Sequence, residues 1–354
     1  MATIIYVDGT LQTGNNDGTS WANAYRGCAG LQTAFDNVFT GSDTIIYIRN
    51  SFVGSIYGLD GGGSPVNNNW LRIIGCDSVT GLPLPLGQYV ILDGNSSSNS
   101  LMSICCSAIR FWGVRFTHVQ EECIYIDEGY TNFVFDNCQI DDVSIGILML
   151  SEAKNLHVMN CRFATPISQF MQIEGKNVSI INCLLRGTSV SNGIYLYGAE
   201  LIVLNNAFCQ CNEAITFSQE VDITKAFVFN NVFYQQTSES IRAEQGALVA
   251  VNNIFYSTVE NYVPIYRTGG IIHYEDFNAT NKSSGLTGLN SLHNVDPLFV
   301  NPSVYDFRPR NPLVLRGGMP DLAGNPTQIG AILQKYQFAN RARSANLGRL
   351  SIFR

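Results

Sequence analysis

The chain has 354 residues, a net charge of -7 and only 14% charged residues, against a usual figure of about 25%. Its 21 Lys and Arg form no stripe long enough to hold a nucleic-acid backbone. Its apolar runs fall well short of the roughly 18 to 20 residues that cross a bilayer, and the N-terminus lacks the basic n-region of a Sec signal peptide.

Gly and Asn together make up about one residue in five, so the chain turns often and long helices do not dominate. From the N-terminus, YVDGT (6–10) and TIIYIRN (44–50) read as strands. Between them Ala24, Leu31, Ala34, Phe35 and Val38 are spaced as the buried side of a short helix. Residues 1–44 are expected to form a strand and a cap over an otherwise open first coil. LRIIG (71–75) and YVILDG (89–94) supply early coils, and the Gly- and Asn-rich stretch 58–69 reads as a loop.

The strongest signal follows. FVFDNCQI, LHVMNCRF, VSIINCLL, LIVLNNAF, AFVFNNVF and LVAVNNIF share Asn137, Asn160, Asn182, Asn205, Asn230 and Asn252 at the fifth place, 22 to 25 residues apart. IRFWGVRF extends the series backwards with Gly113 in that place. Each repeat also holds a second short segment of alternating apolar residues, such as Ile147 and Met149 or Ile194 and Leu196. Alternation over such short runs means strands with one buried face. Two or three strands in so short a period suit neither a propeller blade nor a helical repeat, and stacked coils remain.

In a stack, one interior column is Phe116, Ile140, Phe163, Leu185, Phe208, Phe233 and Phe255. Another is Phe111, Phe135, Val158, Ile180, Val203, Val228 and Ala250. At tight bends, the amides of the Asn column are expected to bridge to the next amide or to turn backbone. Cys138, Cys161 and Cys183, one place later, read as small buried hydrophobes, since neither a His nor a fourth thiol joins them to make a metal site. The coils are expected to occupy 45–268, in an all-β parallel solenoid. Pro- and Gly-rich 269–331 then closes the stack in short turns, and 332–354 forms an Arg-bearing tail.

This combination resembles the right-handed parallel β-helix proteins of the pectate-lyase-like superfamily. YVDGT, NNDGTSWANAY and LQTAF are similar to the opening and cap of that group, and Asn137 to Asn252 to its asparagine ladder. DPLFVNP, DFRPRNP and DLAGNPTQIGA resemble a closing segment of its bacterial and phage-associated members. The resemblance implies the fold over residues 1–331 and leaves activity open, because the fold hosts lyases, hydrolases, adhesins and tailspikes.

For catalysis, Asp127, Glu128, Asp141 and Asp142 are the candidate carboxylates, read as lying at turn edges of one coil. Glu152, Glu174, Glu200, Glu220 and Glu244 read as a solvated rim. No cofactor motif is present, and calcium on this acidic rim is the candidate ion. His118 and His157 have no evident partners, and the Arg-centred lyase signature of the superfamily is not recognised. The outward ridge Tyr125, Leu148, Gln172, Tyr195, Thr216, Arg242 and Tyr266 suits either a subunit interface or a sugar, with Arg242 isolated and Leu148 exposed. Arg341, Arg343, Arg349 and Arg354 are the candidate partner contacts of the tail.

The reading favoured by sequence is a non-enzymatic protein of a virion or extracellular assembly. It would self-associate, as a trimer in the tailspike manner, and contact a glycan. The alternative is a polysaccharide lyase or glycoside hydrolase using carboxylates on one face. Neither reading includes nucleic acid or membrane insertion.

Overall fold

The computed structural model describes residues 2–38, 42–54, 57–59, 69–97, 99–166, 168–198, 200–217, 225–268, 272–321 and 323–331. The chain winds into a parallel β-helix whose complete coils have three strands. In one of them Lys154–Met159 lies on a first face, Arg162–Ala164 on a second and Gln169–Ile173 on a third. Among the described residues twelve strands make up the first face, ending with Ile272–Asp276. In two coils the second and third faces are one bent strand, Val114–Ile126 and Gln139–Met149.

Both interior columns stack as the repeat predicts. Phe163 pairs with Ile140 before it and Leu185 after it, and Val158 with Phe135 and Ile180. Coil spacing brings equal rings into parallel stacks, Phe208 on Phe233 at 5.1 Å and Phe233 on Phe255 at 4.9 Å. Such pairs add about 0.5 to 1.5 kcal/mol each to the burial of the rings.

The Asn column has a different main role from the one expected. Asn137, Asn160, Asn182, Asn205, Asn230 and Asn252 all have φ between 51° and 58°, and Gly113 has 67°. They turn the chain from the first face to the second in the left-handed conformation that Asn and Gly tolerate best. Among the described residues their amides relay from Asn205 to Asn182 (2.5 Å) and from Asn182 to Asn160 (3.5 Å), and Asn160 donates on to Asp136 at 2.9 Å.

The coil-bridging ladder lies one residue later, inside. Asn206 donates to Asn231 (3.0 Å), Asn231 to Asn253 (3.0 Å) and Asn253 to Asn278 (3.1 Å). Each acceptor oxygen also takes a backbone N–H from the coil before, as in Asn206 N to Asn231 Oδ1 at 2.9 Å. Cys138, Cys161 and Cys183 continue this line and are not passive filler. Cys161 Sγ and Cys183 Sγ accept the N–H of Cys138 and Cys161 at 3.4 Å, and Asn206 Oδ1 accepts that of Cys183 at 2.7 Å.

At the N-terminal end, helix α1 (Gly27–Asp36) buries Leu31, Ala34 and Phe35 against the first coil, with Ala24 and Val38 also buried. Phe35 meets Tyr57 edge-on at 6.1 Å. Gly58 and Leu59, expected in a loop, belong to strand Tyr57–Leu59, which pairs with Met102–Ile104. Residues 60–68 lie outside the described residues, as do 332–354 with the four tail arginines.

The closing segment runs along the flank of the stack. It buries Phe307, Ile329, Ala331 and, from helix α2 (Pro312–Arg316), Val314 against the outward side chains Leu184, Ala207, Val232 and Ile254 of the second face. Phe299 and Phe307 clamp Tyr234 at 5.9 and 5.1 Å. That outward column is polar in the earlier coils, at Arg115, Gln139 and Arg162, and apolar from Leu184 onward. The strap covers the apolar part, so the open second face is the polar part.

His157, on the first face, shares a 2.7 Å hydrogen bond with Ser179. Burial pulls its pKa below the ordinary 6.5, favouring the neutral ring in the folded state. Its contribution to stability is therefore intact above about pH 6.5 and is lost as pH falls from there towards the lower folded value. His157→Gln is expected to flatten the melting temperature against pH below about 6.5 relative to the parent.

Candidate active site

A second set of bends, five residues after the Asn positions, joins the second face to the third. His118, Asp142 and Thr165 occupy it in three successive coils with φ of 56°, 53° and 49°. Left-handed backbone is commoner for Asp and His than for most non-glycine residues and a true outlier for β-branched Thr. His118 Nδ1 lies 2.9 Å from Asp93 Oδ2, one coil earlier. Its Nε2 lies 3.8 Å from Asp142 Oδ2, one coil later, and Thr165 Oγ1 donates to Asp142 Oδ1 at 2.9 Å. Asp93 is placed by register, paired with Thr117 beside His118, and its Oδ1 accepts the N–H of Asn95 at 2.8 Å.

The adjoining floor is the open part of the second face. Arg115, Gln139 and Arg162 stack in one column, Thr117 and Asp141 in the next. Asp141 is only 6% exposed and is held by Arg115 Nε at 3.0 Å and Gln139 Nε2 at 2.5 Å. Arg162 Nε and Thr117 Oγ1 are enclosed and, among the described residues, have no hydrogen-bond partner. Tyr89 lies close enough to feel both Arg162 and Asp141, and burial foremost pushes its phenol pKa up, keeping it protonated. The loop before Tyr89 is pinned at the neighbouring corner, where Asn137 Oδ1 accepts from Gly87 N at 2.7 Å and Trp112 Nε1 donates to Leu84 O at 3.0 Å.

An ionised carboxylate only accepts, so Asp93 fixes the proton on His118 Nδ1 and leaves the Nε2 lone pair free. The 3.8 Å gap to Asp142 is too long for a hydrogen bond, which leaves Nε2 available as a base. An oriented base at the edge of a face that carries two guanidinium groups is suited to removing a proton next to a carboxylate that those cations hold.

Of the four candidate carboxylates, Asp141 and Asp142 belong to this site, Asp142 facing His118 and Asp141 facing Arg115. Asp127 and Glu128 do not: they end the third face, where Asp127 Oδ1 accepts the N–H of Glu128 at 2.9 Å and Oδ2 lies 3.6 Å from Cys105 Sγ. His118 has partners after all, 25 and 24 residues away in sequence. One coil of separation hides such partners from a linear reading. The repeat length was the available signal, because it places Asp93 and Asp142 on either side of residue 118.

The outward ridge of the third face is in register from Tyr125 through Leu148, Gln172, Tyr195, Thr216 and Arg242 to Tyr266. Leu148 is only 9% exposed, so it offers no apolar contact. Arg242 is not isolated. It pairs with Glu244 at 2.8 Å and Glu213 at 3.1 Å and lies over Tyr266 at 5.3 Å, which also removes Glu244 from the solvated rim. Gln172 accepts from Gln169 at 2.8 Å and donates to Glu174 at 3.2 Å. Glu220 lies outside the described residues. Among the described residues no group of three His, Cys, Asp or Glu is arranged to hold a metal ion, and no helix is long and apolar enough to cross a membrane.

No protein-family model matches the chain, and no curated protein does. Solved structures match over most of its length. Pectate lyase Pel9A aligns with 93% of this chain and 95% of its own, at a TM-score of 0.64 and 13% identity. The fold is a right-handed parallel β-helix of the pectate-lyase type. A rhamnogalacturonan lyase covers 95% of this β-helix and 98% of its own chain, at TM-score 0.58 and 15% identity. ORF18 of Geobacillus virus E2 covers 78% of this chain and 62% of its own, at TM-score 0.51 and 14% identity. Identities this low speak for the fold alone.

Proposed function

We propose that this β-helix binds a polysaccharide containing uronic acids and cleaves it by β-elimination at the corner formed by Asp93, His118 and Asp142. The observation that carries the reading is the Asp93–His118 hydrogen bond of 2.9 Å, at the edge of the face on which Arg115 and Arg162 stand in register. Two similar folds bear the names of pectate and rhamnogalacturonan lyases, which supports the same substrate class.

In this step Arg115 and Arg162 hold the sugar carboxylate and lower the charge that builds on it. His118 Nε2 takes the proton on the adjacent carbon. The electron pair left behind forms a carbon–carbon double bond as the bond to the neighbouring glycosidic oxygen breaks, and that oxygen takes a proton from solvent. Hydrolysis by a carboxylate pair is the weaker reading, because Asp141 is tied to Arg115 and Gln139 and is not free to give or take a proton. Such a reaction takes place where the polymers are, outside the cell or on a virion surface.

The test is incubation of the purified chain with pectate, rhamnogalacturonan and alginate, following the ultraviolet absorbance of the new conjugated double bond. A rise on at least one polymer is expected. Reducing ends appearing without that absorbance would replace elimination by hydrolysis, and no cleavage of any polymer would remove the reading.

A second reading, self-association as part of an assembly, is favoured by one observation. Ile202, Phe227 and Tyr274 lie in one outward column of the first face, 38%, 41% and 54% exposed. An apolar stripe of this kind marks interaction surfaces, and it lies on the first face, not on the third-face ridge. Phe227→Ser is expected to shift an oligomer of the parent chain to monomer by light-scattering mass. A parent that is monomeric at high concentration sinks this reading.

A further inference from the structure

Where the strap meets the Asn corner, a cleft of about 270 Å³ opens between Asn230 and Asn252 on one side and Met319, Pro320, Gln328 and Gly330 on the other. Its position follows from a break in the outer amide column. Asn205 hands its hydrogen bond back to Asn182, and Asn252 Oδ1 is taken by the N–H of Met319 at 2.7 Å. Among the described residues the side-chain amide of Asn230, between them, has no partner, although its backbone keeps the same left-handed bend at φ 56°. On the opposite wall Gln328 Nε2 is enclosed without an acceptor. Gly330 N donates to Asn252 O at 2.6 Å, which holds the strap against the corner.

We propose that this cleft binds a single neutral sugar ring, as a site separate from the cleavage corner. The amide of Asn230 supplies a donor and an acceptor for vicinal hydroxyls, and Met319 and Pro320 on the opposite wall offer an apolar surface to the ring's C–H face. Among the described residues no charged side chain lines the cleft, which suits an uncharged sugar and not a uronate. The volume falls just below the roughly 300 to 1,000 Å³ of sites for drug-sized molecules, enough for one ring and not for a chain. A site of this kind would hold a neutral side branch of a polymer or a neutral surface glycan.

Saturation-transfer NMR titration of the full chain with methyl glycosides of glucose, galactose, mannose and rhamnose tests it. At least one should bind with a dissociation constant in the millimolar range. Asn230→Gly keeps the positive φ and removes the amide, and Met319→Ala removes the exposed apolar surface of the opposite wall. Each should weaken that binding by about three- to tenfold, since a hydrogen bond or an apolar contact is lost. Both variants should retain the parent's polyuronate cleavage, and His118→Asn should retain glycoside binding, so the two sites can fail separately. Absence of binding by all four glycosides at about 50 mM would overturn the proposal. So would binding unchanged in both cleft variants while they remain folded by circular dichroism.

Discussion

His118→Asn is expected to lower kcat/KM on a cleavable polyuronate by about a hundredfold to ten-thousandfold, the usual contribution of a positioned general base. Asn is the informative replacement because residue 118 has φ 56°, and Asn tolerates that conformation where Ala is strained. The melting temperature should therefore stay close to the parent's, and the loss should fall on kcat, since the carboxylate is held by Arg115 and Arg162. Asp93→Asn tests the same corner one step out. It no longer fixes the proton on Nδ1, and a loss of about tenfold or more is expected with little change in KM. If His118→Asn cleaved as fast as the parent, the base would have to be sought elsewhere on the helix.

The second large effect is on stability. Asn231 is fully buried. Its side-chain NH2 shares two hydrogens among Val203 O, Phe229 O and Asn253 Oδ1, and its Oδ1 accepts from Asn206 N and Asn206 Nδ2. Asn231→Ala leaves buried donors and acceptors in neighbouring coils without partners, at about 1 to 3 kcal/mol for each group that water cannot reach. A loss of about 3 to 5 kcal/mol is expected, read as a lower urea midpoint. Asn231→Cys should recover part of it, because Cys161 and Cys183 already accept a backbone N–H from the same ladder position. Asn205→Ala, at the outer corner, should cost only about 1 to 2 kcal/mol, chiefly through its φ of 57°. Equal losses at 205 and 231 would refute the distinction between the bend column and the ladder.

These two predictions also separate what was legible in the sequence from what was not. The interval between Asn residues sets the coil length, and with it every residue of the two interior columns, because apolar alternation fixes which side chains face inward. The capping helix was readable for the same reason, from Leu31, Ala34 and Phe35. In the pairs Asn205–Asn206 and Asn230–Asn231, however, both residues are amides, and composition does not say which one points inside. Only the backbone does, through the positive φ of the first.

The second bend was hidden for a related reason. His118, Asp142, Thr165, Gln210 and Gln235 all take left-handed φ there without the Asn or Gly that marks the first bend. The strap was hidden too, although the change from Arg115, Gln139 and Arg162 to Leu184, Ala207 and Val232 along one outward column was a usable sign that something covers the later coils. Adjacency in sequence groups Asp127 and Glu128 with Asp141 and Asp142. The fold instead joins residues one coil apart.

The most direct measurement of the central claim is a crystal structure of His118→Asn soaked with an uncleaved oligomer of whichever polyuronate the parent degrades. The account predicts sugar density on the open second face, with a carboxylate paired to Arg115 or Arg162 and the carbon beside it facing residue 118. An oligomer bound instead along the third-face ridge of Tyr195 and Arg242, with the corner at residue 118 empty, would contradict it.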